Sequence, residues 1–113
     1  MPNINADWND LILDAGEVTT GWAIEVHLRT AAGATPAIKK FSTALGTIIV
    51  GQTAPSGATH GIQMDAAKTD MNFAAGTYVW DIIRTDGGRN EPLLDGGYWT
   101  DEFRDIVTNS SLA

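Results

Sequence analysis

The 113-residue chain has no cysteine. This excludes a disulfide framework and a thiolate metal site, so burial and backbone pairing must hold the fold. There are two histidines, His27 and His60. A zinc site would have to be completed by carboxylates alone, which is uncommon, so both are read as solvated. Positive charge is scarce as well: seven Lys and Arg, never clustered, stand against fourteen Asp and Glu, for a net charge of −7. Such a surface does not suit nucleic-acid phosphates or an anionic membrane, and it favours a basic partner. No apolar run approaches the roughly 18 residues of a membrane helix. The opening Met-Pro-Asn-Ile-Asn-Ala-Asp lacks a basic start followed by an apolar stretch. No signal peptide is expected, and synthesis and folding in a cytoplasm are.

Apolar residues make up 43% of the chain and charged ones 19%, which suits a folded protein. The length allows one domain with a single core. Residues 1–10 read as an N-terminal arm, 11–108 as a β-domain and 109–113 as a tail. Trp8 in the arm would anchor it to the domain's own body or to a neighbouring subunit.

Strand signals dominate. Trp22, Ile24, Val26 and Leu28 alternate with Ala23, Glu25, His27 and Arg29, the mark of a strand with one buried and one wet face. Burying each of those four apolar side chains is worth roughly 1.5–3 kcal/mol against exposure. Leu11–Leu13, Ala37–Ser42 and Leu45–Val50 are shorter strand candidates. Residues 52–61, with Pro55, Ser56 and two glycines, read as the longest and most mobile loop. Asp86-Gly87-Gly88 signals a hairpin, and Gly96-Gly97 a bulge in its return strand.

The stretch from Met64 to Ile83 organises the rest. Ala66 to Asp70 has the composition of one helical turn, Ala74-Ala75-Gly76 supplies a corner, and Thr77 to Arg84 is β-branched and aromatic. Tyr78 and Trp80 share one face. In immunoglobulin-like sandwiches a Tyr at this corner bonds its hydroxyl back to upstream backbone. The expected fold is therefore all-β, an immunoglobulin-like antiparallel sandwich of about seven strands with one short helical turn. Its core would contain Trp22, Ile24, Val26, Leu28, Tyr78 and Trp80.

Catalytic patterns are missing. Ser42, Ser56, Ser110 and Ser111 lie outside any Gly-x-Ser-x-Gly elbow. Asp65 with Asp70, and Asp101 with Asp105, read as surface acids rather than a glycosidase pair. Residues 86–91 lack the alternating oxygen ligands of an EF-hand. Asp81 should face away from Trp80 and bond Arg84, Arg29 or loop backbone. No catalytic residue, metal site or cofactor is expected. A carbohydrate-binding module for host attachment would need Trp8, Tyr98 or Trp99 exposed together.

Several stretches carry a resemblance. Val18-Thr19-Thr20-Gly21-Trp22-Ala23-Ile24-Glu25-Val26-His27-Leu28-Arg29 is similar to the Leu-Thr-Gly-Trp-x-Val-x-x-x-Ile-Arg opening of small bacteriophage and prophage virion proteins. Those proteins resemble the immunoglobulin-like N-terminal module of siphophage baseplate upper proteins. Gly61, Met64, Thr69, Met71, Gly76, Tyr78, Trp80, Asp81 and Ile82 fall in places comparable to a later family segment. Leu93-Leu94-Asp95-Gly96 and Asp105-Ile106-Val107-Thr108 resemble its closing motifs. An extra Thr before Gly21-Trp22, and Trp80 in place of a Tyr, are departures. The resemblance implies a non-enzymatic virion structural protein of a tail, baseplate or neck, made in the bacterial host cytoplasm. Its partners would be other virion proteins and copies of itself in a trimer or ring, without nucleic acid or membrane. Trp8, Gln52, Pro55 and Phe103 are the expected interface residues. A capsid decoration protein is the alternative within the same class.

Overall fold

The computed structural model describes residues 3–105; Ile106-Val107-Thr108 and the expected tail, 109–113, lie outside the described residues. Nine strands occur among these residues: β1 (Asn3–Ile4), β2 (Leu11–Asp14), β3 (Ile24–Arg29), β4 (Lys39–Ser42), β5 (Ile48–Ala54), β6 (Gly57–Met64), β7 (Gly76–Arg84), β8 (Glu91–Pro92) and β9 (Trp99–Asp105). The larger sheet runs β1-β9-β7-β3-β4, with β8 beside the end of β7. The smaller runs β2-β6-β5. Both sheets feed one apolar core in a sandwich-like, all-β arrangement. The expected count of seven is exceeded by two strands of only two residues each, β1 and β8.

The alternation in β3 is realised as expected. Ile24, Val26 and Leu28 are fully buried, while Glu25, His27 and Arg29 occupy the opposite face. Trp22 departs from the pattern. The strand begins two residues later, so its indole lies half-buried at the rim of the core. The Arg84 guanidinium covers the ring at 4.0 Å from its centroid.

The first ten residues are not a free arm. β1 pairs in parallel with β9, and the Asn5 N–H donates to the Met71 carbonyl at 2.8 Å. Trp8 and Ala66 exchange backbone hydrogen bonds at 2.8 and 3.0 Å. The Trp8 side chain is only 3% exposed. Its indole meets Phe41, Trp80 and Phe103 edge-on, at 5.8, 5.5 and 5.8 Å between centroids. Such edge-to-face pairs add to the burial itself, because the positive ring edge meets a negative ring face. Trp8 is thus a central core residue.

The helical turn is shorter than expected, a single 3-10 turn at Lys68–Asp70, since Ala66 is taken by the bridge to Trp8. Asp7 Oδ1 accepts from the Lys68 N–H at 2.7 Å, another tie between the N-terminal segment and the body. A second such turn, Asp86–Gly88, follows β7 with Gly87 at φ 66°. The corner forms as expected: the Tyr78 hydroxyl donates to the Ala74 carbonyl at 2.5 Å.

The expected loop over residues 52–61 is instead a hairpin, β5 turning into β6 at Pro55 and Ser56. Its glycines are strand glycines because neighbours occupy the space a Cβ would need. At Gly61 that atom would lie 2.6 Å from Leu11 Cδ1 and 2.7 Å from the Gln52 carbonyl oxygen. Buried Thr19 ties the hairpin down, its hydroxyl accepting from Gly51 N–H at 2.7 Å and facing the carbonyls of Thr59 and Gly61.

Candidate functional site

Of the four residues expected at an interface, two are inside the molecule. Trp8 fills the core, and Phe103 is fully buried against Trp8, Phe73 and Tyr78. Strand alternation explains Phe103: paired with Gly76, it points inward with Trp80 and Tyr78. Gln52 is half-buried, its amide donating to the Val50 carbonyl at 3.1 Å. Pro55 alone stands exposed, at the tip of the β5–β6 hairpin. That tip is held by side chains. Ser56 Oγ donates to Asp14 Oδ1, the Ser56 N–H donates to Asp14 Oδ2 at 2.9 Å, and His60 Nδ1 lies 2.9 Å from Ser56 Oγ.

Those three side chains share the elements of a hydrolytic triad but not its order. Ser56 sits in the middle and directs its proton to the carboxylate, so the His60 imidazole meets the hydroxyl oxygen and is not itself oriented by the acid. These contacts lower the Asp14 pKa, the bond from Ser56 first. The cluster is a clasp between the end of β2 and the hairpin tip.

A second cluster joins the turn after β7 to the entry of β3. Arg84 Nε and Nη2 donate to the two oxygens of Asp86, both at 2.9 Å, and Arg89 Nη1 donates to Oδ2 at 3.0 Å. The Ala23 N–H donates to Asp86 Oδ1 at 3.0 Å. This bidentate pairing, with the backbone donor, holds the Asp86 carboxyl far below the ordinary range. Trp22, Arg84 and Arg89 line a groove of about 280 Å³ together with Leu13, Glu17 and Glu91. Sequence reasoning sought the partner of Arg84 in Asp81, and missed Asp86 inside a turn signal.

The third cluster lies on the outer face of β3 and β7. His27 has only 14% of its side chain exposed, against the solvated position expected for it. Its Nε2 lies 2.8 Å from Glu25 Oε1, and its Nδ1 lies 3.1 Å from Arg29 Nη2. A carboxylate only accepts and a guanidinium only donates, so Nε2 carries the proton and Nδ1 accepts. Arg29 Nη1 also donates to the Ala34 carbonyl at 2.6 Å. Asp81 stands directly across from His27 in the ladder. Both ring nitrogens of His27 are already engaged along their own strand, so none turns to Asp81. Arg84 is held by Asp86 and Arg29 by Ala34 and His27, so both arginines expected as partners of Asp81 are engaged elsewhere. Asp81 does face away from Trp80, as the alternation requires.

Trp99 and Tyr98 are exposed, at 39% and 47%, whereas burial removes Trp8 from any aromatic strip. Among the described residues no group of three or more His, Asp and Glu is placed to hold a metal ion, and no helix is long and apolar enough to cross a membrane. No family model, curated protein or solved structure matches the chain.

Proposed function

We propose that this protein is a non-enzymatic structural component of a bacteriophage virion, in a tail, baseplate or neck, acting through protein–protein interfaces. The observation that supports its immunoglobulin-like form is the order of strands. β1-β9-β7-β3-β4 opposite β2-β6-β5, with the first strand parallel to the last, is what an immunoglobulin-like sandwich would give. The Tyr78 hydroxyl bond to Ala74 supports the same form. Gly76, Tyr78 and Trp80, which carry much of the resemblance to phage virion modules, lie together on β7. Because one fold hosts many roles, the role itself rests on that resemblance.

With Trp8 and Phe103 in the core, the surfaces open to neighbours include the hairpin tip at Pro55 and exposed apolar side chains such as Val18, Ile38 and Leu45. Repeated copies in a trimer or ring would make weak contacts of this kind effective together. The protein would be made in the bacterial host cytoplasm and end in the particle. Mass spectrometry of purified particles and of separated heads and tails tests this. Recovery with tails is expected, recovery with heads alone would make it a decoration protein, and absence from particles would overturn the reading.

A further inference from the structure

We propose that His27 is a proton-operated latch: a second proton on its ring drives the Arg29 guanidinium from His27 and Ala34 to Asp81, and so loosens the loop between β3 and β4. The inference concerns the fold alone and stands apart from the virion reading. It begins with hydrogen-bond valence. Glu25 Oε1 can only accept, at 2.8 Å from Nε2, and Arg29 Nη2 can only donate, at 3.1 Å from Nδ1. An imidazolium donates at both nitrogens, so this arrangement is closed to it. A proton added at Nδ1 sets two donors and two positive charges face to face. Only 14% of the His27 side chain is exposed to water that could screen them.

The surroundings decide which way the contact breaks. His27 faces Glu25 and Arg29 along its own strand, Asp81 from β7 and Lys40 from β4. Glu25 already takes the Nε2 proton, and it holds the imidazolium in place as an ion pair. Lys40 repels a cation that turns toward β4. Asp81 is the remaining acceptor, a solvated carboxylate that lines one recess with His27 and Arg29. Register sets Val79 opposite Arg29, so Asp81 is its diagonal neighbour on the same face, within the span of a long side chain. Moving there costs Arg29 its other hold. Its Nη1 donates to the Ala34 carbonyl at 2.6 Å, in the turn that the Ala34 N–H closes on the Ala31 carbonyl at 3.0 Å. One guanidinium thus links the proton on a strand residue to the loop over residues 30–38.

The test is NMR on the whole chain from about pH 7.5 to about pH 5, the range in which imidazoles titrate. Long-range ring correlations report the His27 tautomer, and amide-exchange protection factors, which remove the intrinsic pH dependence, report the loop. The Nε2–H tautomer is expected at the upper end. Protection of Ala34 should then fall roughly tenfold or more in step with the His27 ring. Met64 in β6, whose N–H donates to the Asp10 carbonyl at 2.9 Å, should not change. His27→Gln should abolish the step, Asp81→Asn should blunt it, and His60→Gln should leave it intact, with thermal midpoints confirming that each variant folds. The proposal is overturned by an Nδ1–H tautomer at the upper end, by a ring that takes no second proton in this range, or by Ala34 protection that ignores the ring. It is equally overturned by a step that survives in His27→Gln or is undiminished in Asp81→Asn. The first three results are read on the unaltered chain, so they decide the matter even where a variant does not fold.

Discussion

The Asp86 carboxylate accepts the backbone N–H of Ala23 at 3.0 Å, across 63 positions of sequence. One side chain thereby joins the turn after β7 to the entry of β3, while Arg84 and Arg89 neutralise it from the other side. The consequence is a defined acid response.

The folded-state pKa of Asp86 lies below its ordinary value of 3.8, chiefly through the bond from Arg84. At pH above that ordinary value the carboxylate is charged in both states and its contribution to stability is complete. As pH falls, the unfolded chain takes up the proton first, and the contribution is lost progressively down to the folded-state pKa. Asp14 and Glu102 are displaced in the same direction. Urea midpoints measured between pH 7 and 2 should therefore decline below about pH 4. Asp86→Asn should lower the midpoint at neutral pH and make the acid decline shallower. An identical acid limb in the variant would contradict this role.

Trp8→Ala should destabilise the protein by about 3–5 kcal/mol, the range for truncating a buried aromatic. Three edge-on ring contacts and a near-complete burial are lost at once. Removing residues 1–10 should be at least as damaging, since β1 and the bridge to Ala66 go with them. Urea unfolding followed by tryptophan fluorescence measures both, and a fully stable truncated chain would show the segment to be a dispensable arm.

Two glycines on neighbouring elements should respond in opposite ways. Gly61→Ala forces a methyl to 2.7 Å from the Gln52 carbonyl, a backbone atom that cannot swing aside. A loss of about 1–3 kcal/mol is expected. At Gly76 the same methyl finds only the Tyr78 ring at 3.7 Å, an ordinary contact. Gly76→Ala should be neutral, or stabilising by up to ~1 kcal/mol through the unfolded chain. Thermal midpoints of the two variants give the comparison directly.

Tyr78→Phe removes the hydroxyl that reaches Ala74 and leaves the ring among Phe73 and Phe103. The expected cost is about 0.5–1.5 kcal/mol, that of one hydrogen bond. A markedly larger loss would mean that the hydroxyl organises more than its corner.

Where neighbours in sequence are also neighbours in space, the chain was readable. Alternation alone places Ile24, Val26 and Leu28 inside, and Tyr78 with Trp80 on one face. Where one residue's surroundings come from far along the chain, it was not. Trp8 stands alone in a polar run with no periodicity to mark it, and its burial depends on Phe41, Trp80 and Phe103. Residues 52–61 have loop composition, yet Gly57 and Gly61 are required by the close approach of His60, Leu11 and Gln52. Trp22 continues the alternation of β3 by spacing but precedes the ladder, so Arg84 covers it instead of the core. On the outer face of β3 and β7, the facing of Asp81 followed from its position after Trp80. That Arg29 and His27 bond along their own strand and to Ala34 instead of to Asp81 is a choice spacing does not encode.

The parallel pairing of β1 with β9 sets an order of events during translation. Asn3 and Ile4 leave the ribosome early but find Arg104 and Asp105 only after most of the domain has emerged. The Trp8 indole likewise waits for Phe103. A nascent chain must therefore carry that indole uncovered for most of its synthesis, which makes contact with a chaperone most valuable in that interval.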